Sequence, residues 1–300
     1  MRRPPHWSEF PKYAVSGGIA ILAIGVTVAC WMKVDISPLF ATAMIRRGQL
    51  WRLVTCMLPH AGIFHLVFNI YWLWVFGTLV EQVYGHLKAA ALVVLLAFGS
   101  GCMEFAFASG GVGLSGVGYG LFGFLWVLSS QDDRLRDAVD RRTIELFVVW
   151  FLFCIVTTLA GLFAVANIAH AAGAVIGALT AAALTAQRRR GLLAASIVAI
   201  LLFGLWGSTI GRPRINLSGK AGYEEGKWGY EALVAGHNEE AARWLNDAVT
   251  YQPRLAACWF DLGIAYQRLG KAKAAQAAYQ RAHQLDPNDA EYSDAVNAHQ

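Results

Sequence analysis

The stretch from residue 146 to residue 187, LFVVWFLFCIVTTLAGLFAVANIAHAAGAVIGALTAAALTAQ, contains no Asp, Glu, Lys or Arg. A helix needs about 20 mostly apolar residues to cross the hydrocarbon core of a bilayer. The stretch is therefore long enough for two crossings, and we expect a break between them near Gly161–Asn167. This pattern predicts a helical membrane protein.

Apolar segments of similar character flank this stretch on both sides. They are Ala14–Met32, Pro59–Val80, Ala89–Phe107, Leu114–Ser130 and Gly191–Gly211. The chain is 56% hydrophobic and 15% charged, whereas soluble domains carry about 25% charged residues. We therefore predict an all-α membrane bundle with an N-terminal tail at 1–12, a six-helix core at 13–187, and a basic linker with a seventh crossing at 188–211.

The distribution of Lys and Arg predicts the orientation, because these residues are enriched in cytoplasmic loops. With the N-terminus inside, eleven basic residues fall on the inner side and four on the outer side. The inner ones are Arg2, Arg3, Lys12, Lys88, Arg134, Arg136, Arg141, Arg142, Arg188, Arg189 and Arg190, and the outer ones are Lys33, Arg46, Arg47 and Arg52. Seven crossings then place the C-terminal domain outside, and we expect the membrane to be a bacterial inner membrane.

Other readings of the composition are disfavoured. The first apolar run is long for a signal peptide and no small-x-small cleavage site follows it.

The net charge of +5 does not form one patch, since the basic residues stand at the ends of apolar runs, so we expect no nucleic-acid partner. Five cysteines lack paired or metal-type spacing, so we expect no disulfide framework, no metal and no cofactor.

The C-terminal part of the chain contains an internal repeat. Identical residues recur at a spacing of about 34 residues, which is the repeat length of tetratricopeptide proteins. The pairs are Gly236 and Gly270, Ala241 and Ala275, Ala248 and Ala282, and Pro253 and Pro287. The second copy follows the tetratricopeptide pattern, in which small residues let paired helices approach and Pro ends each repeat.

The repeat predicts a separate helical domain after the last crossing. We predict a linker at 212–217 and a helical repeat domain at 218–300, with a capping helix at Asp289–Gln300 and a protein or peptide segment as its partner. Because two repeats are few for independent stability, we expect either docking of this domain on the membrane domain or a homo-oligomer.

Polar groups at membrane depth are costly and by default indicate function. Ser115 follows Gly113 and precedes Gly116 at the predicted start of the fourth crossing. Unpaired amides at a helix start can stabilise an oxyanion. The alternative is a simple N-cap serine, which is the commonest role of Ser at this position.

His170 lies near the outer end of the sixth crossing, at a depth similar to that of Ser115. It is either a structural histidine or the base that a weak Ser nucleophile needs. Two small-xxx-small faces would let the fourth and sixth crossings touch backbone to backbone. These faces are Gly116 with Gly120, and Gly173 with Gly177. Tyr119, one turn from Ser115, could pack against the imidazole.

His65 and Asn69 are four residues apart and share one helix face. Both can donate hydrogen bonds, which suits an oxyanion hole. Metal ligation is the rival reading, but His60 would lie about 140° round the same helix and no acidic ligand is nearby. We therefore place His65 and Asn69 with Ser115 and His170.

Together these motifs resemble the rhomboid intramembrane serine protease family over about residues 13–187. The matching segments are Gly48–Thr55, His60–Asn69, Gly77 with Glu81, Gly113–Gly116 and Ala169–Gly177, in family order. The resemblance implies that Ser115 is the nucleophile and His170 the base, with no acidic third member. It implies that Asn69, His65 and the Ser115 amide hold the oxyanion, that Tyr119 stacks on His170, and that Leu39–Leu53 forms an amphipathic stretch in the membrane surface. The substrates would be transmembrane segments of other proteins in the lipid bilayer.

Two other functions stay open at this point. A non-catalytic relative that binds transmembrane helices as a scaffold or chaperone usually lacks the Ser or the His, and both are present here. A channel or transporter would explain buried His and Asn, but the two halves show no internal repeat of the kind many transporters have.

Overall fold

A computed structural model describes residues 4–298, and this part of the chain is helical with no β-strand. It divides into two compact units between Ile210 and Gly211. The first contains the predicted membrane crossings and the second contains the predicted repeats. Arg2 and Arg3, which entered the orientation argument, lie outside the described residues, as do the last two residues of the chain.

The first unit contains the apolar helices in the predicted order. The helices are α1 (Ala14–Trp31), α2 (Arg52–Thr55), α3 (Ile63–Trp72), α4 (Thr78–Tyr84), α5 (His86–Phe107), α6 (Ser115–Ser129), α7 (Arg141–Leu159), α8 (Asn167–Thr185) and α9 (Arg190–Ser208). A π-helical turn, Leu73–Gly77, joins α3 and α4 into one helix. Six of the described helices, counting this joined one once, are long and apolar enough to cross a membrane. The all-α, multi-pass membrane fold is therefore confirmed.

One boundary differs from the sequence prediction in a way that affects the site. The second crossing begins at Ile63 rather than at Pro59, because Gly62 has an extended backbone that cannot continue a helix toward the N-terminus. Residues 59–62 therefore form a loop close to the start of α6. The long charge-free stretch breaks near the predicted place, since α7 ends at Leu159 and α8 begins at Asn167.

The helix α6 lies at the centre of the first unit. Its side chains Leu121, Leu125 and Leu128 are buried. By contrast, α7 exposes large apolar side chains such as Leu152 and Val156, as expected of a surface that faces lipid. A short central helix is thus surrounded by longer ones.

Backbone contact between α6 and α8 fixes their relative position. A Cβ added at Gly173 would collide with the Gly116 carbonyl oxygen, and one added at Gly177 would collide with the Gly120 carbonyl oxygen. Small residues allow this approach because no side chain separates the two helices. A Cβ at Gly204 of α9 would lie 2.9 Å from the Cβ of Cys102 in α5, so α9 packs directly on α5.

The loop between α1 and α3 is organised around a buried arginine. Arg52 donates from Nη1 to the Ser37 carbonyl at 2.6 Å and to the Phe40 carbonyl at 3.1 Å, and from Nε to Gln49 Oε1 at 2.6 Å. The predicted amphipathic stretch Leu39–Leu53 is not one helix: two 3₁₀ turns, Ser37–Leu39 and Ala43–Arg47, precede α2.

The second unit is a stack of helix pairs. Its helices are α10 (Arg212–Ile215), α11 (Tyr223–Val234), α12 (Asn238–Tyr251), α13 (Ala256–Arg268), α14 (Ala272–Leu285) and α15 (Ala290–Ala298). The predicted linker at 212–217 contains the helical turn α10, whose first turn includes a proline, a residue suited to that position.

The repeated residues occupy equivalent places in this second unit. Gly236 and Gly270 both have positive φ, at 80° and 71°, where they end α11 and α13. A Cβ at Gly229 would lie 2.5 Å from Leu245 Cγ, and at the equivalent position of the next repeat a Cβ at Gly263 would lie 2.5 Å from Tyr279 Cδ1. Each glycine therefore lets the two helices of its repeat touch.

Candidate active site

The loop before α6 brings backbone close to two histidine rings. Ser115 is the first residue of α6. Gly113 has φ of 100°, a conformation that favours glycine. A Cβ there would also lie 2.6 Å from His65 Cε1 and 3.2 Å from His60 Cδ2. Gly113 is thus required both by its conformation and by the rings packed against it.

His60 holds this loop, a role that the sequence did not predict. The Leu114 N–H donates to His60 Nε2 at 3.3 Å, while His60 Nδ1 lies 2.9 Å from the Leu58 carbonyl oxygen. Its ring centroid is 5.0 Å from that of His65. The predicted separation of about 140° assumed one continuous helix, but His60 precedes the start of α3, so both rings face the loop.

His170 is buried in the first turns of α8, with 3% of its surface exposed. Its ring stacks on Tyr119, with centroids 4.5 Å apart and planes inclined by 21°. Tyr119 in turn donates its hydroxyl to the Phe147 carbonyl at 3.1 Å. His170 Nδ1 has no hydrogen-bond partner within the described chain, so its ring orientation depends on aromatic contacts.

The ends of α6 and α8 meet beside the two predicted catalytic residues. A Cβ added at Gly116 would lie 3.5 Å from the Cβ of Ala169, and these residues are the neighbours of Ser115 and His170. No hydrogen bond joins Ser115 to His170 among residues 4–298. The two helix ends are thus close, and the dyad itself stays a prediction.

Asn69 is buried on the same face of α3 as His65. Its Nδ2 donates to the His65 carbonyl at 2.9 Å within their own helix. An amide nitrogen carries two donor hydrogens, so one of them stays available to a further acceptor. The oxyanion role of His65 and Asn69 remains a prediction.

A cavity of about 30 Å³ opens beside Ser115. Its lining includes Ser115, Gly113, Gly116, Ser100, Glu104 and Ala169. Within the described residues, no group of three or more His, Cys, Asp or Glu side chains is arranged to hold a metal ion. Glu104 lies within the predicted crossing Ala89–Phe107, and the sequence assigns it no role. Its contact with α8 emerges only from the fold.

Comparisons with known proteins agree with this architecture. The family described as Rhomboid domain matches residues 47–187, and the family described as Tetratricopeptide repeat matches residues 256–289. Rhomboid protease GlpG of Salmonella typhi is 30% identical over 166 residues, which cover 53% of this chain and 55% of that protein. The proteins of the same name from Salmonella newport (strain SL254) and Salmonella heidelberg (strain SL476) give the same values.

The chain spans about half the length of the curated relatives it matches. The rhomboid match runs from the loop before α2 to the end of α8 and includes Gly113, Ser115, His170 and both helix-packing faces. The repeat match falls on α13 and α14. The chain therefore contains a Rhomboid domain at residues 47–187 and carries a tetratricopeptide repeat in its C-terminal unit.

Proposed function

We propose that the chain is an intramembrane serine endopeptidase that cleaves transmembrane segments of other proteins with Ser115 and His170. The match to the Rhomboid domain and the similarity to rhomboid protease GlpG support an intramembrane protease. The assignment of Ser115 as nucleophile and His170 as base rests on the contact between the N-terminal ends of α6 and α8, where Gly116 faces Ala169. A nucleophile and its base on these two helix ends are neighbours, and Tyr119 holds the imidazole.

In the proposed reaction, Ser115 Oγ attacks the carbonyl carbon of the scissile bond while a ring nitrogen of His170 accepts the hydroxyl proton. The tetrahedral intermediate carries its negative charge on the former carbonyl oxygen. His170 then donates the proton to the leaving amine, and the C–N bond breaks to give an acyl-enzyme. Water, deprotonated by His170, then attacks the carbonyl carbon of the ester. The bond from this carbon to Ser115 Oγ breaks, His170 returns the proton to Oγ, and the acid product leaves.

The oxyanion would accept hydrogen bonds from the start of α6 and from α3. The first amides of a helix have no partner inside it, so the Ser115 N–H is available in this role. The free hydrogen of Asn69 Nδ2 and a ring N–H of His65 are the proposed side-chain donors. His65 packs against Gly113, two residues before the nucleophile, which fits this role.

The length of α6 supports a site open to water. A helix of 15 residues rises about 22 Å, whereas the hydrocarbon core is about 30 Å thick. Irregular backbone at membrane depth is tolerated where it is buried in protein or lines a water-filled cavity. We propose that the loop before Ser115 lines such a cavity, and that a substrate helix unwinds near its outer end to reach it. By family resemblance, a small residue would precede the cleaved bond.

We propose a bacterial inner membrane as the location, with the N-terminus in the cytoplasm and the C-terminal unit outside. The repeat unit would bind a protein or peptide segment, either of a substrate or of a second copy of the chain. Tetratricopeptide repeats mediate protein interactions, and this supports the assignment of a partner class.

The test is cleavage of a fluorescent transmembrane substrate by the full-length protein in liposomes. Ser115→Ala and His170→Ala should each reduce cleavage by at least about 10³-fold, because removal of either member of such a pair abolishes nucleophile activation. The matched controls are Ser130→Ala, at the exposed end of α6, and His237→Ala, exposed in the second unit. Both should cleave as the unaltered protein does.

Undiminished cleavage by either dyad variant would contradict the assignment of that residue. If the unaltered protein cleaves no transmembrane substrate but still binds one, the scaffold function replaces the protease.

A further inference from the structure

Glu104 is a buried carboxyl group near the end of α5, with 6% of its surface exposed. The proposed reaction does not use it. An acidic side chain at membrane depth is expensive and needs a partner. The partner it has lies on α8, far along the chain from α5.

The contact is a hydrogen bond to the first turn of α8. The Ala169 N–H donates to Glu104 Oε2 at 3.0 Å. Ala169 immediately precedes His170, and α8 has no side-chain cap of its own. The first amides of any helix lack partners within the helix, so Glu104 supplies from α5 the acceptor that a local N-cap residue would otherwise supply.

The loop that leads to Ser115 packs against the same group. A Cβ added at Gly111 would lie 3.4 Å from Glu104 Cγ and 2.6 Å from the Cβ of Ala166. Glu104 and Ser115 also line the same cavity. The carboxyl group therefore lies between the segment that carries the nucleophile and the helix that carries the base.

We infer that Glu104 is a positioning residue that fixes the start of α8, and with it His170, relative to Ser115. This inference rests on the proposed protease function. Glu104 bonds the backbone beside His170 rather than the imidazole, so its effect on the reaction is exerted through the placement of α8. Glu104 must therefore supply an acceptor oxygen on a side chain long enough to meet the Ala169 N–H.

Three substitutions of Glu104 distinguish the contributions of its acceptor oxygen, its negative charge and its side-chain length. Glu104→Gln keeps an acceptor oxygen at the same reach and removes the charge. Glu104→Asp keeps the charge and shortens the side chain by one methylene. Glu104→Leu removes the acceptor. The matched controls are Glu145→Gln, Glu145→Asp and Glu145→Leu, because Glu145 is exposed on α7 and pairs with the exposed Arg141.

Two measurements are made on the full-length protein in liposomes. The first is kcat and KM for a fluorescent transmembrane substrate, together with the rate at which a small fluorophosphonate labels Ser115. The second is hydrogen exchange of the peptide that contains the first turn of α8, which requires no activity.

We expect Glu104→Gln to stay within about 3-fold of the unaltered protein in kcat and labelling rate. Glu104→Asp and Glu104→Leu should lose about 10- to 100-fold in both, with KM nearly unchanged, because small displacements of catalytic groups cost rates of this order. In those two variants the first turn of α8 should exchange faster. The Glu145 variants should change none of these quantities.

The inference is overturned if Glu104→Asp keeps full rate while Glu104→Gln loses it, because charge would then be the requirement. It is also overturned if all three variants keep the rate, or if the loss appears in KM alone. If Glu104→Leu does not fold, the comparison of Glu104→Gln with Glu104→Asp still shows whether the acceptor oxygen or the charge is required. An unaltered protein that neither cleaves nor reacts with the phosphonate refutes the proposed function instead, whereas faster exchange in Glu104→Asp would still support the capping contact.

Discussion

Tyr119 contacts His170 and α7 through two separable parts of its side chain. The ring stacks on the imidazole, and the hydroxyl donates to the Phe147 carbonyl. A neutral hydrogen bond contributes about 1 kcal/mol net. Loss of the Tyr119 ring instead removes the stacking contact that orients His170. The Nδ1 atom of His170 has no hydrogen-bond partner in the described chain, so no hydrogen bond at this atom replaces that contact.

Tyr119→Phe should therefore keep most activity, within about 5-fold, while Tyr119→Leu should lose about 10²-fold. Both are measured as cleavage of a transmembrane substrate and as labelling of Ser115 by a phosphonate. Tyr230→Leu, exposed in α11, is the control for the loss of a tyrosine ring. Equal rates for Tyr119→Leu and the unaltered protein would show that the stack does not orient the base.

At the residue scale, the sequence could predict which polar side chains belong together but not every partner. The stack of Tyr119 on His170 was predicted from helix spacing and family resemblance, whereas the pairing of Ser115 with His170 stays a prediction. The role of His60 could not be derived, because its contact with the Leu114 amide depends on where α3 begins. The role of Glu104 could not be predicted either, because its partner is a backbone amide on another helix. The spacing of side chains along the sequence does not reveal a hydrogen bond to backbone.

The packing of α6 against α8 depends on positions where any side chain would strike backbone. A Cβ at Gly173 meets the Gly116 carbonyl, whereas a Cβ at Gly118, also on α6, meets nothing within 4 Å. Forcing an extra methyl group into a well-packed contact costs about 1–3 kcal/mol. In an open helical position, replacement of Gly by Ala stabilises by about 0.5–1 kcal/mol.

Gly173→Ala should accordingly lower the midpoint of thermal unfolding in detergent and reduce cleavage, because it pushes His170 away from Ser115. Gly118→Ala should leave the midpoint unchanged or raise it. The comparison is decisive because both variants add one methyl group to the same helix pair. If both change the midpoint equally, the helices are not held by backbone contact at these glycines.

Most helices could be predicted, because the length and hydropathy of the apolar runs indicate where each helix lies and the glycine pairs indicate which helices pack together. The exceptions have local causes. Gly62 delays the start of the second crossing. Arg52, in the stretch Leu39–Leu53, binds the Ser37 and Phe40 carbonyls, a contact with backbone that the sequence pattern does not reveal.

At the scale of the whole molecule, the number of crossings decides on which side of the membrane the second unit lies. The described helices include six that are long and apolar enough to cross a membrane and the shorter α6. If α6 also traverses the bundle, the number of crossings is odd and the two ends of the chain lie on opposite sides. Because Lys and Arg are enriched in cytoplasmic loops, the basic residues of the loop between α6 and α7 and of the segment before α9 predict a cytoplasmic location for both.

Labelling by a membrane-impermeant maleimide tests this arrangement with single cysteines at exposed positions. Glu239→Cys reports on the second unit, and Arg136→Cys reports on the loop between α6 and α7. In intact spheroplasts we expect Glu239→Cys to be labelled above the level of the unsubstituted chain and Arg136→Cys only after permeabilisation. The opposite pattern would invert the whole topology. Labelling of neither before permeabilisation and of both afterwards would put the second unit in the cytoplasm, and the repeats could then not bind a partner outside the cell.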